Sequence, residues 1–304
     1  MKNLFSVLII SLSICICCLS ISFSSSFEEV KRAAEQGDAG AQFFLGLSHY
    51  LGKGVPQDYQ KARQWYEKSA EQGNAGAQFN LGTLYYFGQG VQQDYRKAQQ
   101  WYKKAAEQGI ADAQFSLGLL YYLGQGVRKD YHQAQQWWKK AAEQGHAAAQ
   151  CRLGLLYYLG HGVQQDYRQA RDWYEKSAIQ GHADAQYFLG ALYTAGQGVP
   201  QDYLKARDWY EKAAVQGHTA AQFSLGILFY LGEGGQQDYL QARQWFKNAA
   251  EEGDSGSQYF LGMLYENGRG VRQDFATAKE WYGKACSNGN QKGCDAYARL
   301  NTAR

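Results

Sequence analysis

The chain has 304 residues, with 31 Lys+Arg against 28 Asp+Glu and a formal net charge of +3. There is no basic block and no acidic tail, which argues against nucleic acid as a partner, because neutralising phosphates takes a concentrated basic face. Eight Trp, 24 Tyr and 14 Phe call for a packed interior, and 35 Gly beside two Pro mark periodic turns rather than disorder, since the glycines recur at fixed spacing.

Residues 1–26 stand apart. After Lys2 and Asn3 comes LFSVLIISLSICICCLSISF, then SSS and the charged FEEVKR. A short basic start, an apolar middle and small residues near a cut site form a secretory signal pattern, with cleavage expected near Ser24 to Ser26. The run is also long enough to span a bilayer as an uncleaved anchor. A lipoprotein-type cut before Cys15, Cys17 or Cys18 is a third alternative, disfavoured by Ile14, Ile16 and Cys17 in front of those positions, where such sites prefer small residues. The expectation is an exported protein, periplasmic or secreted, alternatively membrane-anchored, that meets the membrane only through residues 1–26 if they stay attached.

From residue 27 onward the chain repeats itself. QQDYRKAQQWY at residue 92 returns as RKDYHQAQQWW at 128, QQDYRQARDWY at 164, PQDYLKARDWY at 200 and QQDYLQARQWF at 236. Seven full copies, spanning 39–290, begin at Ala39, Ala75, Ala111, Ala147, Ala183, Thr219 and Ser255, with a period of 36 and no insertion. Residues 27–38 match the end of a unit and 291–304 a degenerate start, as half-repeats capping the open ends of an array.

Each unit holds two helical patterns. In AGAQFNLGTLYYFG, residues 75–88, Ala77, Leu81, Leu84 and Tyr85 share one face. Gly82 beside them permits close approach, and Phe79 and Tyr86 lie on a further face suited to a neighbouring unit. GQGV, with Gly88 and Gly90, reads as a turn. In the second pattern Asp94 is placed to cap the N-terminus, and Asp recurs at 58, 94, 130, 166, 202, 238 and 274. Tyr95, Ala98, Tyr102 and Ala106 form one stripe, and Ala98, Trp101 and Ala105 a second beside it. Two stripes mean burial on two sides, against the partner helix and against the next unit. Lys103 and Lys104 meet the dipole of the last turn favourably, and Gly109 follows as the C′ glycine. The aligned Trp65, Trp101, Trp137, Trp173, Trp209, Trp245 and Trp281 read as packing residues. The pattern thus predicts an all-α array of antiparallel helix pairs, none of which buries its apolar surface alone.

Ala-x-Ala-Gln-x-x-Leu-Gly-x-Leu-Tyr, then Gly-x-Gly-Val, Asp-Tyr, Ala-x-x-Trp-Tyr and Lys-Ala-Ala-x-Gln-Gly resembles the Sel-one-like repeat, a relative of the tetratricopeptide repeats, over residues 27–300. The resemblance implies a right-handed α-solenoid of helix pairs with a concave inner surface, and binding or scaffolding rather than catalysis. With the signal segment, family association also implies a bacterial protein.

No catalytic, cofactor or metal site is expected. The GxG loops are turn glycines: none is GxGxxG or a P-loop, and none follows a strand. His146, His182 and His218 recur at a spacing of 36, but the same column holds Asn74, Ile110 and Asp254, and one repeat is too far for three imidazoles to share an ion. HExxH, GxSxG and SxxK are absent from the sequence. Beyond residue 26 the cysteines are Cys151, Cys286 and Cys294. Cys151 stands where every other repeat has Phe or Tyr and reads as a small buried hydrophobe. Cys286 and Cys294 flank a turn and could meet as a disulfide in an oxidising compartment, or remain two free thiols. The ending ACSNGNQKGC is also similar to a cysteine-rich branch of the family, some of whose members are described as β-lactamases. That similarity implies the alternative of a β-lactamase-like or cell-wall-acting enzyme, although this chain carries such a pair in the last unit alone.

Partner recognition is sought in the columns that do not repeat. Positions 2, 6, 9 and 13 of the first helix vary and form one helical stripe, reading Gly40, Phe44, Leu47, Leu51, then Gly76, Asn80, Thr83, Phe87, then Asp112, Ser116, Leu119, Leu123. It continues as Ala148, Arg152, Leu155, Leu159 and as Asp184, Phe188, Ala191, Ala195. One reading has the stripe lining the concave groove and contacting a peptide or protein, with Arg152 pairing an acidic group and Ala191 and Ala195 forming a pocket. The other has these columns varying because they are solvated and unconstrained.

Overall fold

The computed structural model describes residues 27–302; the expected signal or anchor in residues 1–26 lies outside the described residues. These contain sixteen helices and no strand. Helix α1 (Phe27–Glu35) is the leading half-repeat. The first helices of the seven units are α2 (Ala39–Leu51), α4 (Ala75–Phe87), α6 (Ala111–Leu123), α8 (Ala147–Leu159), α10 (Ala183–Ala195), α12 (Thr219–Leu231) and α14 (Ser255–Asn267). Their second helices are α3 (Tyr59–Glu71), α5 (Tyr95–Glu107), α7 (Tyr131–Glu143), α9 (Tyr167–Ile179), α11 (Tyr203–Ala214), α13 (Tyr239–Glu251) and α15 (Phe275–Ser287), and α16 (Gln291–Thr302) closes the series. The fold is an all-α solenoid of helix pairs packed consecutively. It divides into two compact units, 27–149 with 161–163 and 150–160 with 164–302, the division falling inside α8.

The helix boundaries follow from the capping residues. Each of the seven predicted aspartates precedes a second helix in extended backbone, and its carboxylate accepts from one or two free N–H groups of the first turn. At the other end Gly109 and its counterparts take positive φ, between 84° and 94° within the seven units, a conformation that glycine adopts without a Cβ penalty.

Packing inside a repeat turns on one contact. The ring of Tyr102 lies across the backbone of α4 at Gly82, where a Cβ would stand 2.7 Å from the ring. The close approach foreseen at Gly82 is therefore made by an aromatic side chain. Gly46 with Tyr66 and Gly118 with Trp138 repeat this in the first unit, and Gly154 with Tyr174, Gly190 with Tyr210, Gly226 with Phe246 and Gly262 with Tyr282 in the second. Around these rings sit Leu81, Leu84, Leu117 and Leu120 in the first unit, and Leu189, Leu192, Leu225 and Leu228 in the second, all essentially buried.

The tryptophans do what the stripe analysis expects. The seven aligned ones are half-buried, and in six repeats a lysine three residues on lies over the ring, 4.0 to 4.3 Å from its centroid. Cys151 is buried inside the second unit, and burial pushes its thiol up to about 12. Cys286 and Cys294 form a disulfide, with Cα atoms 4.4 Å apart, that joins α15 to α16.

Candidate protein-binding face

The candidate residues all project from first helices, yet the structure does not treat them alike. In the first unit Phe44 is exposed and Leu47, Asn80, Ser116 and Leu119 are half-buried, but Thr83 is 6% exposed. Its hydroxyl donates to Phe79 O at 3.1 Å and accepts from Tyr102 Oη at 3.3 Å, so Thr83 belongs to the interior. In the second unit Arg152, Leu155, Phe188 and Ala191 are half-buried. Ala191 packs against the cluster around Tyr210 and Leu225, while Ala195 is exposed.

The sixth-position residue answers the aromatic of the preceding repeat. Asn80 lies beside the Tyr66 hydroxyl, without a well-formed bond to it, and Ser116 lies beside that of Tyr102. In the second unit Ser224 lies beside the hydroxyls of Tyr187 and Tyr210. Where the sixth residue is a ring it stacks instead: Phe188 on Tyr174, with centroids 5.2 Å apart and planes 19° apart, and Phe260 on Phe246, at 5.0 Å and 17°. Part of the variation assigned to a partner is thus internal matching of one repeat to the next. The thirteenth position is different. Phe87 and Leu123 in the first unit, and Leu159 and Leu231 in the second, are 41 to 54% exposed.

Arg152 has no such internal task. Among the described residues it makes no hydrogen bond or ion pair, though its charge acts on Cys151, Tyr174 and Asp184. Asp184 is held by His218 Nε2 at 3.4 Å, and that hydrogen bond, with the neighbouring positive groups, lowers the Asp184 pKa against the opposing effect of burial.

Two columns to which sequence reasoning gave no structural role carry the frame. The glutamine at position 4 of the first helix is buried and donates to a carbonyl of the preceding second helix, as Gln78 does to Ala70 O and Gln186 to Ala178 O, both at 3.1 Å. Its Oε1 accepts from the glutamine that ends its own repeat, Gln108 to Gln78 and Gln216 to Gln186, both at 2.7 Å. One side chain thereby ties three helices, and an invariant Gln at a buried position was the signal for it. The column of His146, His182 and His218 is an N-cap column: Nδ1 of each accepts the N–H of Ala149, Ala185 or Ala221 at 3.1 to 3.4 Å, as Asp38, Asn74 and Asp254 do with carboxylate or amide oxygens. Ile110 leaves that role empty.

Such a frame, identical helix pairs tied end to end with a non-repeating face, defines a repeat solenoid of the interaction-scaffold class. The Sel1 repeat model matches residues 39–74, 75–110, 111–146, 147–182, 183–218, 219–254 and 255–290, and the chain belongs to the Sel1 repeat family. It is similar to a protective antigen present in uropathogenic Escherichia coli strains that displays an SLR fold, with 38% identity and a TM-score of 0.87 over 92% of this chain; the chain spans 60% of that protein's length. It is also similar to a Sel1 repeat protein from Oxalobacter formigenes, with 35% identity and a TM-score of 0.75, over 90% of this chain and 79% of that one. The search of curated proteins found no match to it.

Proposed function

We propose that this protein is an exported adaptor that binds a protein or peptide against the variable face of its first helices. The observation that carries this reading is the exposed apolar thirteenth position. Phe87 and Leu123 in the first unit, and Leu159 and Leu231 in the second, spend large side chains on solvent at a column the packing leaves unconstrained, and exposed apolar surface marks interaction sites. Export rests on residues 1–26, whose composition is that of a secretory signal. No helix among the described residues is long and apolar enough to cross a membrane.

Two experiments test the two halves. Leu123→Glu with Leu159→Glu places charge on exposed positions that carry no core packing, so the double variant keeps its melting temperature and loses its partner. Retained partner binding by that variant contradicts the face. Sequencing the mature N-terminus after cell fractionation tests export: a start near residue 27 outside the cytoplasm supports it, and an intact Met1 in the cytoplasm refutes it.

A further inference from the structure

The outward stripe of the second helices changes character inside the second unit. In repeats 2, 3 and 6 it reads Gln100, Lys103 and Glu107, then Gln136, Lys139 and Glu143, then Gln244, Lys247 and Glu251. Lys103 pairs with Glu107, and Lys247 with Glu251, each at 3.8 Å. In repeats 4 and 5 all three columns change together, to Asp172, Glu175 and Ile179 on α9 and to Asp208, Glu211 and Val215 on α11. Leu204 opens the α11 stripe where repeats 2 and 3 hold Arg96 and His132, and Val215 continues α11 in helical backbone.

Neither packing nor helix stability accounts for the change. Ile179, Val215 and Leu204 are 72, 68 and 65% exposed, more than any other large hydrophobic side chain among the described residues. The exchange removes an i,i+4 ion pair and puts a β-branched residue where Glu is the better helix former. It also places Glu211 in the last turn of α11, where the helix dipole disfavours a negative charge. The neighbouring cations are engaged elsewhere. Arg171 is bonded to Asp172, Lys205 to Asp202 at 3.4 Å and Arg207 to Gly234 O at 2.8 Å, while Lys176 and Lys212 lie over Trp173 and Trp209. Among the described residues the side chains of Glu175, Asp208 and Glu211 make no hydrogen bond or ion pair. Helix α10 packs against both α9 and α11, and Trp209 of α11 packs against the buried cluster that α9 and α10 share.

We propose that the outward face of α11, with the C-terminal end of α9, docks a cationic amphipathic segment of a partner protein. Its Lys or Arg side chains meet Asp208, Glu211 and Glu175, and apolar side chains to either side cover Leu204 and Val215. The helical rise sets those two apolar ends roughly 16 Å apart. Apolar and anionic together, the face repels an anionic membrane surface or a nucleic acid and selects a chain that carries positive charge. It lies on other helices than the face of the proposed function and does not rest on that reading.

The test is selection of a random peptide library on the purified full-length protein, with a heat-denatured control, followed by affinity measurement on variants. Asp208→Gln, Glu211→Lys and Val215→Glu together give α11 the residues that α5, α7 and α13 carry at these columns, so this triple variant keeps its melting temperature. The proposal expects enriched peptides with Lys or Arg between apolar residues. Their affinity falls roughly tenfold or more on the triple variant, about three- to tenfold on Leu204→Gln, and further with added salt. It stays within about twofold on Leu123→Glu with Leu159→Glu, because those positions lie outside the site. Equal affinity for wild type and the triple variant overturns the site, as does enrichment no greater than on the denatured control. Peptides lost on Leu123→Glu with Leu159→Glu but kept on the triple variant belong to the first-helix face and also overturn it. Self-association of the wild type in sedimentation, abolished in the triple variant, makes the occupant a second copy and overturns the cationic partner.

Discussion

Gln216 donates from Nε2 to Gln186 Oε1 at 2.7 Å, linking the end of one repeat to its own beginning. One repeat later the link is missing. Gln222 still donates to Ala214 O, but its Oε1 is buried with no partner, because position 252 holds Glu where five other repeats have Gln and one has Asn. A carboxylate has no proton to give, so the acceptor stays empty. Glu252→Gln is expected to raise the unfolding free energy by about 1 kcal/mol, read by urea denaturation. A variant no more stable than wild type contradicts the assignment.

Gly82→Ala tests the ring-on-backbone contact. In an exposed helix this change stabilises by roughly 1 kcal/mol. Here the new Cβ meets Tyr102 at 2.7 Å, so the expected result is a loss of about 1–3 kcal/mol from overpacking, with stability recovered when Tyr102 is shortened in the same chain. Unfolding monitored by tyrosine and tryptophan fluorescence reads both.

The aspartate caps predict the acid limb of stability. Backbone N–H groups hold Asp58, Asp166 and Asp202 below the usual 3.8, and the Thr277 hydroxyl and N–H do so for Asp274. Asp184 is lowered by its bond to His218. A folded pKa below the unfolded value gives a contribution present above 3.8 and lost as pH falls through the lower folded values. Stability is therefore expected to decline with acid below about pH 4, and Asp184→Asn to flatten that decline. An unchanged slope argues against the His218–Asp184 contact.

His218→Ala removes the acceptor for Ala221 N–H and is expected to cost about 1 kcal/mol. His218→Asn keeps a capping group, as Asn74 does in the same column four repeats earlier, and is expected to recover most of it. Equal losses in the two variants, measured by thermal melting, would place the role of His218 in packing against Tyr187 instead of capping.

The disulfide closes a short loop, its cysteines eight apart in sequence. Its reduction is expected to cost roughly 2–3 kcal/mol, and the loss should be local to α15 and α16. Hydrogen exchange with and without reductant reads this directly, as faster exchange confined to those helices.

The frame was legible because it repeats. Asp94, Gly109 and Trp101 each declare a role seven times over, and a role demanded by helix ends or by stacking recurs wherever the geometry does. The face was legible only in part. Thr83 and Phe188 vary as binding residues would, but they vary to match Tyr102 and Tyr174, and that match lies across helices that sequence spacing does not align. Gln78 was visible as a motif letter, while its double hydrogen bond needed the positions of three helices.

The central claim is that a partner lies on the variable face of the first helices. The most direct measurement places a photo-crosslinking residue singly at Leu119, Leu155 and, on a second helix, at the exposed Gln100, in the intact protein in its native host. The account predicts one shared adduct from Leu119 and Leu155, absent at Gln100 and lost with Leu123→Glu and Leu159→Glu. The same adduct from all three positions, or from Gln100 alone, would contradict it.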